Sequence, residues 1–120
     1  MNSPLLSHVT RPESPEAFRF VSADNMPIKP ACWLVRDYIE ENALAVLYGQ
    51  PGKGKSFIAL DMSCCIATGT DFHGHKVTAG AVFYIAGEGH NGLARRLHAW
   101  SQHSGRTLEN APLFISEGAT

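Results

Sequence analysis

The sequence predicts an α/β protein in which a parallel β-sheet is flanked by helices. Three observations lead to this fold class: short apolar runs typical of buried strands, helical periodicity between those runs, and a glycine-rich loop directly after the first run. A chain of 120 residues is large enough to form one hydrophobic core. We therefore expect one α/β domain.

The first thirty residues are predicted to be an irregular leader that lies outside the sheet. Five of the seven prolines lie there, and the segment shows little periodicity. Residues 31–120 are predicted to form the domain. The domain would open with a short helix from Ala31 to about Ile39, because Pro30 suits a helix start and apolar side chains follow at helical spacing.

The first strand and the first long helix are predicted on either side of the glycine-rich loop. The run Ala43–Tyr48 is continuously apolar and ends at a glycine, as expected for a strand buried on both faces of a parallel sheet. After the loop, a helix is predicted from Lys55 to about Thr68, with Gly69 as its C-terminal cap. Its buried face would contain residues at three- and four-residue steps, namely Phe57, Leu60, Cys64 and Ala67.

The second half of the chain continues the alternation of strands and helices. Ala81–Ala86 is predicted to be a buried strand, Asn91–Ser104 a helix, and Pro112–Ser116 a third strand. A short edge strand is expected around His75–Val77. Strands that alternate with helices in this way favour right-handed crossovers and a parallel sheet covered by helices.

Composition and charge exclude several classes of protein. The net charge of -1 and the pI near 6.6 provide no general positive field for nucleic acid or an anionic membrane. No apolar run reaches the roughly 20 residues that a membrane-spanning helix needs, and no secretory signal is visible. Cys32, Cys64 and Cys65 lack metal-ligand spacing and are predicted to be reduced thiols, the last two buried on a helix. We expect a cytoplasmic protein without a membrane partner.

The glycine-rich loop matches the pattern G-x-x-x-x-G-K-[ST] of phosphate-binding loops. Its glycines allow backbone N–H groups to converge on phosphate oxygens, and the following helix adds the positive end of its dipole. Lys55 is predicted to reach the β- and γ-phosphates, and Ser56 to place its hydroxyl on Mg²⁺. The segment predicted to bind ATP comprises Gly49, Gln50, Pro51, Gly52, Lys53, Gly54, Lys55, Ser56 and Phe57.

Glu88 is the candidate for the group that acts on the attacking water. It follows the second predicted strand between Gly87 and Gly89, and ligands of parallel sheets collect at the carboxyl ends of the strands. A carboxylate there could orient or deprotonate a water that attacks the γ-phosphate. A solvated loop glutamate, or a charge that stabilises the next helix dipole, would explain the residue equally well.

Three segments together resemble one protein family. They are Trp33-Leu34-Val35, the loop from Tyr48 to Phe57, and Tyr84–Gly89 followed by Ala94–Leu97. Over roughly residues 31–116 the chain is similar to the RecA-like AAA-family P-loop ATPases of phages and plasmids, such as RepA-type hexameric replicative helicases. The resemblance implies a RecA-like core, ATP with Mg²⁺ as cofactor, and assembly into a ring with ATP between neighbouring subunits.

The resemblance also implies roles for particular residues. Glu88 matches the family's water-activating glutamate, and Lys55 its phosphate-loop lysine. Arg95 and Arg96 match a basic pair often seen on the following helix, to which no role is assigned. The family's second acidic motif, a strand that ends in an Mg²⁺-holding Asp, and its DNA-binding loops would follow beyond residue 120. We therefore expect the chain to be the N-terminal portion of an ATPase core, with single-stranded DNA bound by later segments.

Two other functions remain compatible with the same loop. One is a P-loop kinase that transfers phosphate to a small acceptor. The other is a module that binds nucleotide without hydrolysing it and switches a partner interface. Phosphorylation of a metabolite would favour the kinase, whereas turnover that survives replacement of Glu88 would remove the catalytic role of that residue.

Overall fold

The computed structural model of the protein describes residues 18–50, 52, 54–87 and 89–117. Contacts divide the chain into two units, Met1–Pro30 and Ala31–Thr120. In the described part of the first unit, a short 3-10 helix spans Ala23–Asn25. The rings of Phe18 and Phe20 also meet edge to face there, with centroids 4.9 Å apart. Residues 1–17 of the predicted leader lie outside the described residues.

The second unit is built from two long helices and four short strands. In chain order they are β1 (Trp33–Val35), β2 (Ile39–Glu40), α1 (Lys55–Thr68), β3 (Val82–Tyr84), α2 (His90–Ser104) and β4 (Leu113–Ile115). β3 and β4 pair in parallel, from Val82 opposite Leu113 to Tyr84 opposite Ile115, with α2 as the connection between them. This β–α–β unit confirms the α/β class. The parallel sheet has two strands in the described residues, whereas the sequence predicted three.

The predicted helix from Ala31 to Ile39 is wrong, because this segment is an antiparallel hairpin of β1 and β2. Asp37 takes a left-handed conformation (φ 72°) at the turn, which ends any helical path. The backbone groups of β1 find partners in a distant segment: the Arg36 N–H donates to the Lys76 carbonyl at 2.8 Å, and the Thr78 N–H to the Leu34 carbonyl at 2.9 Å. Long-range pairing of this kind overrides a weak helical pattern. The bridge between Val35 and Val77 agrees with the edge strand expected around His75–Val77.

The predicted strand Ala43–Tyr48 is also wrong, because the structure assigns no strand to these residues and leaves them exposed. Leu44, Val46 and Tyr48 are among the exposed large apolar residues of the described chain. A strand needs a neighbour that accepts and donates its backbone hydrogen bonds. The described strands pair with one another, and β1 also pairs at Val77, but none pairs with this run, so its apolar character is not sufficient to make it a strand.

Both long helices agree with their predicted bounds. α1 ends at Gly69, which has φ 72° and donates its N–H to the Ile66 carbonyl at 3.4 Å. α2 ends at Gly105, also at φ 72°, as glycine C-caps do. Leu60, Cys64 and Ala67 are buried as predicted. Phe57 was also predicted to be buried, but it is exposed, because it lies on the first turn of α1 beside the glycine-rich loop.

The core consists of two clusters that meet at Trp100. One contains Val35, Cys65, Ile66 and Phe72, and the other contains Leu60, Cys64, Ala86 and Leu93; Trp100 packs against both. α1 supplies four of these eight residues and contacts α2, β3 and β4. The expectation that β3 is buried on both faces is wrong, because Phe83 is exposed and stacks on Phe114 at 5.2 Å. In the described residues no helix is long and apolar enough to cross a membrane.

Candidate functional site

The glycine-rich loop enters α1 through two residues in the left-handed conformation. Gly52 has φ 76° and Gly54, the residue before the first helical position, has φ 86°. Residues with a Cβ seldom adopt such angles, so glycine is required for the local path of the chain. The Ile58 N–H donates to the Gly54 carbonyl at 3.0 Å. This bond closes the first turn of α1, and the N–H groups of such a first turn are the ones that bind anions at helix N-termini.

The side chain of Lys55 folds back across the loop. Its Nζ donates to the carbonyl of Gly49 at 2.6 Å, and its methylene groups lie beside Gly49, where an added Cβ would be 3.8 Å from Cδ of Lys55. That distance is an ordinary van der Waals contact, so space alone does not require glycine at position 49. The contact with the Gly49 carbonyl keeps the ammonium group at the loop, where an anion could replace the carbonyl as its partner.

A cavity of about 220 Å³ opens at this loop. Among the described residues, five that line it come from the loop and the first turn of α1: Gly52, Gly54, Lys55, Ser56 and Phe57. Arg96, from α2, lines it as well. The structure therefore brings together five of the nine residues predicted to bind nucleotide, and adds a second cation that the sequence analysis left without a role.

The remaining predicted site residues do not line this cavity or are not described. Gly49 is linked to it through Lys55, and Gln50 is exposed at the start of the loop. Pro51 and Lys53 lie outside the described residues, and so does Glu88. The catalytic role of Glu88 therefore stays a prediction.

Ser116 stabilises the end of β3 through two hydrogen bonds. The segment that contains Glu88 follows β3 in the sequence. The Ala86 N–H donates to Oγ of Ser116 at 2.9 Å, and the Ser116 N–H donates to the Tyr84 carbonyl at 2.9 Å. These two bonds extend the pairing of β3 and β4 beyond their last ladder residues. The sequence pattern indicated Ser116 only as the end of a predicted strand, and its polar side chain was the available signal for a further role.

Asp61 joins α1 to α2 and to the turn after α1. Its Oδ1 accepts a hydrogen bond from Nε1 of Trp100 at 2.9 Å, and its Oδ2 lies 2.7 Å from Nε2 of His73. The thiol of Cys65 also lies near Oδ1, at 3.6 Å. This network was not predicted. It links the two helices that carry Ser56 and Arg96.

The two adjacent cysteines of α1 are buried thiols without a described disulfide. Burial raises the pKa of Cys64 and of Cys65 from 9.0 to about 12 each, and the negative charge of Asp61 adds to both shifts. A raised pKa keeps both thiols protonated at neutral pH. They act as small apolar groups of the core, as the sequence indicated.

Two left-handed glycines, a helix N-terminus, a lysine and a serine around one cavity define a nucleotide-binding module with a phosphate-binding loop. The comparison with protein families gives the same class. The model of the family described as AAA domain matches residues 10–118, and the chain belongs to this family. No curated protein and no solved structure matches the chain.

Membership of the AAA family makes the chain a nucleotide-binding ATPase module of the type that generally uses ATP and Mg²⁺. The described residues fit these cofactors. Gly52 and Gly54 themselves carry no side chain that could block phosphate, Lys55 supplies a cation, and Ser56 supplies the hydroxyl that such loops offer to Mg²⁺.

Proposed function

We propose that this AAA domain binds ATP with Mg²⁺ at the segment from Gly49 to Phe57. The observation that carries the proposal is the cavity in which the left-handed turn of Gly52 and Gly54 meets the side chains of Lys55 and Ser56. Backbone amides of the loop and of the first turn of α1 hold the inner phosphates. ATP is proposed in preference to other nucleoside triphosphates because members of the AAA family generally use ATP.

Lys55 and Ser56 have separate roles in this proposal. The ammonium group of Lys55 exchanges the Gly49 carbonyl for oxygens of the β- and γ-phosphates, which are stronger partners because they are charged. Ser56 offers its hydroxyl to Mg²⁺. Bound Mg²⁺ would neutralise part of the negative charge of the triphosphate.

Glu88 is proposed to orient or deprotonate the water that attacks the γ-phosphate. It follows Ala86 by two residues, and Ala86 is buried and fixed by Ser116. A carboxylate that follows the carboxyl end of a parallel strand is suited to this task, because nucleotides bind at that edge of such sheets.

The wider proposal is that the domain works in a RecA-like ATPase of the phage or plasmid type in DNA replication or recombination. The AAA family and the resemblance of the loop, the segment after β3 and the start of α2 support it. A ring of identical subunits and binding of single-stranded DNA by other segments are parts of this proposal. The near-neutral charge of the chain is compatible with DNA contacts that lie elsewhere.

Nucleotide titration of the chain tests the binding proposal. With Mg²⁺ present, the wild-type chain is expected to bind a fluorescent ATP analogue. Lys55→Ala should weaken binding about tenfold to a hundredfold, the value of a hydrogen bond between charged groups. Lys76→Ala is the matched control, because Lys76 is exposed and remote in sequence from the loop. Equal affinities for the wild type and Lys55→Ala would remove the phosphate-loop assignment.

Phosphate release by a protein that contains this domain together with the proposed DNA-binding segments, measured with and without single-stranded DNA, tests the role of Glu88 and the link to DNA. Glu88→Gln keeps the size of the side chain and removes its basicity. We expect turnover about a hundredfold to ten-thousandfold lower, the usual contribution of a general base, with nucleotide affinity unchanged. Turnover that survives this substitution would contradict the catalytic role. Turnover that does not respond to DNA would contradict the replication proposal and leave the ATP site intact.

A further inference from the structure

Among the residues that the structure describes, one charged side chain from outside the loop and α1 lines the cavity at the glycine-rich loop. Arg96 lies on the second turn of α2 and lines the cavity together with Lys55 and Ser56. Arg96 thus places a guanidinium group at the same cavity as the ammonium group of Lys55 and the hydroxyl of Ser56, the groups proposed to bind phosphate and Mg²⁺.

Phe57 holds the guanidinium group of Arg96 at this position. The Cζ atom of Arg96 lies 4.3 Å from the centre of the Phe57 ring, within the range of a cation–π contact. Phe57 directly follows Ser56 and is 58% exposed, so it does not contribute to the core as predicted. The contact gives this exposed ring a role: it supports the arginine beside the residues that bind phosphate.

We infer that Arg96 contacts the terminal phosphate of the bound nucleotide and makes the site favour a triphosphate over a diphosphate. This inference rests on the proposed ATP site. The loop and α1 approach the phosphates from one element, and their amides serve the inner phosphates. α2 begins two residues after Glu88, so Arg96 reaches the site from the element that follows the residue proposed to act on the attacking water.

The chemistry of arginine suits this position. Its planar guanidinium group donates several N–H bonds in a fixed fork, which matches two oxygens of one phosphate. An arginine supplied within the same chain is also a known way of stabilising negative charge at a transferred phosphate. Lysine would keep the charge and lose the paired donors.

The neighbouring arginine provides a matched control. Arg95 has the same chemistry and lies on the same helix, but it is exposed and does not line the cavity. Successive residues of a helix point about 100° apart, so only one member of the pair can face the site. Comparing substitutions of Arg95 and Arg96 therefore separates the effect of the position of the arginine from the effect of net charge.

Titration of the chain with ADP and with the non-hydrolysable imido analogue of ATP tests the inference. Arg96→Ala is expected to weaken the triphosphate analogue about tenfold to a hundredfold, the loss of one charge-assisted contact. The affinity for ADP should change by less than about threefold on the same reasoning. Phe57→Leu should weaken the analogue selectively but less. Arg95→Ala should leave both affinities unchanged. Circular dichroism would establish that each variant is folded.

The outcomes separate this inference from the proposal on which it rests. If the wild type binds both ligands and Arg96→Ala leaves their ratio unchanged, the role of Arg96 is wrong and the ATP site stands. If the wild type binds neither ligand, both fail. Should Arg96→Ala not fold, Arg96→Lys takes its place, because it keeps the charge and the aliphatic stem; an unaltered ratio in that variant would equally overturn the inference.

Discussion

The first turn of α1 and its last two turns belong to one helix, yet their surroundings differ. At the N-terminal end, Lys55 and Ser56 line an open cavity, and Ile58 is 42% exposed. At the C-terminal end, Cys64 is 0% exposed and Cys65 is 4% exposed, and both belong to the core clusters. One end of the helix meets the proposed ligand, and the other end meets the rest of the protein.

This difference indicates where stability and binding arise. Burial against α2, β3 and β4 anchors the C-terminal half of α1, because most helical stability in proteins comes from tertiary packing. The N-terminal end can then keep its polar groups available for phosphate without losing the helix. Substitutions at the C-terminal half should therefore lower stability with little effect on affinity, and substitutions at the first turn should do the reverse.

The largest expected effect is the difference in reactivity between the two buried thiols of α1 and the exposed thiol of Cys32. Burial raises the pKa of Cys64 and Cys65 from 9.0 to about 12, which lowers their thiolate fractions about a thousandfold at pH 8. A disulfide reagent should therefore label one thiol of the native chain quickly and the other two only on unfolding. Cys32→Ser should abolish the fast phase, because Cys32 is exposed. Fast reaction of all three native thiols would contradict the buried environment of the helix end.

The same shifts set the sign of a pH effect on stability. Above pH 9 the two thiols ionise in the unfolded chain and stay protonated in the folded one, so the unfolded state binds fewer protons. Their contribution to the free energy of unfolding is therefore complete below pH 9 and is lost as the pH rises towards 12. Denaturant unfolding at pH 8 and pH 10 should show this decrease, and Cys64→Ala should reduce it.

Truncation of apolar side chains at successive turns should map the boundary between the two ends. Leu60 is 3% exposed and packs with Cys64, Ala86 and Leu93. Leu60→Ala should therefore lower the free energy of unfolding by about 2–5 kcal/mol. Ile58→Ala, two residues earlier, should lower it by less than about 1 kcal/mol, because much of that side chain is already in water. Equal losses in denaturant titrations would show that the buried region extends to the first turn.

Asp61 should contribute less to the free energy of unfolding than Leu60 does. Asp61→Ala removes the acceptor for Trp100 Nε1 and the partner of His73, which should cost about 1–3 kcal/mol. Asp61→Asn keeps an acceptor for the indole N–H and should cost less. Unfolding followed by fluorescence in a Trp33→Phe background reports on Trp100 alone. Losses of the same size in the two variants would contradict a role for the indole hydrogen bond, and nucleotide affinity should stay near the wild-type value in both.

Local patterns in the sequence were sufficient for the two long helices, but they predicted a short helix in place of the hairpin of β1 and β2 and did not identify all the strands correctly. α1 and α2 carry their own periodicity and terminal glycines, so their bounds follow from nearby residues. The hairpin of β1 and β2 depends on hydrogen bonds with a segment about forty residues later: the Leu34 carbonyl accepts from the Thr78 N–H, and the Arg36 N–H donates to the Lys76 carbonyl. The exposed run Ala43–Tyr48 shows the converse: apolar character predicts a strand only where a partner strand is present.

The candidate site likewise has a part that the sequence predicted and a part that it did not. The loop was predictable because phosphate binding requires glycines, a lysine and a serine at fixed spacing. Arg96 and Ser116 were not assigned, because their roles depend on which elements the fold brings together. Asp61 was missed for the same reason, since its partners His73 and Trp100 lie 12 and 39 residues away along the chain.

The smallest expected effects are those of replacing Gly54 or Gly92 with alanine. The first substitution should lower the free energy of unfolding, and the second should raise it. Gly54 has φ 86°, so Gly54→Ala strains the entry to α1 and should cost about 1–2 kcal/mol. Gly92 lies within α2 without positive φ, and an added Cβ there would meet nothing within 4 Å. Gly92→Ala should therefore raise stability by about 0.5–1 kcal/mol, because alanine loses less backbone entropy in a helix. Thermal unfolding measures both changes, and a stabilising Gly54→Ala would show that the left-handed turn into the phosphate loop is not required.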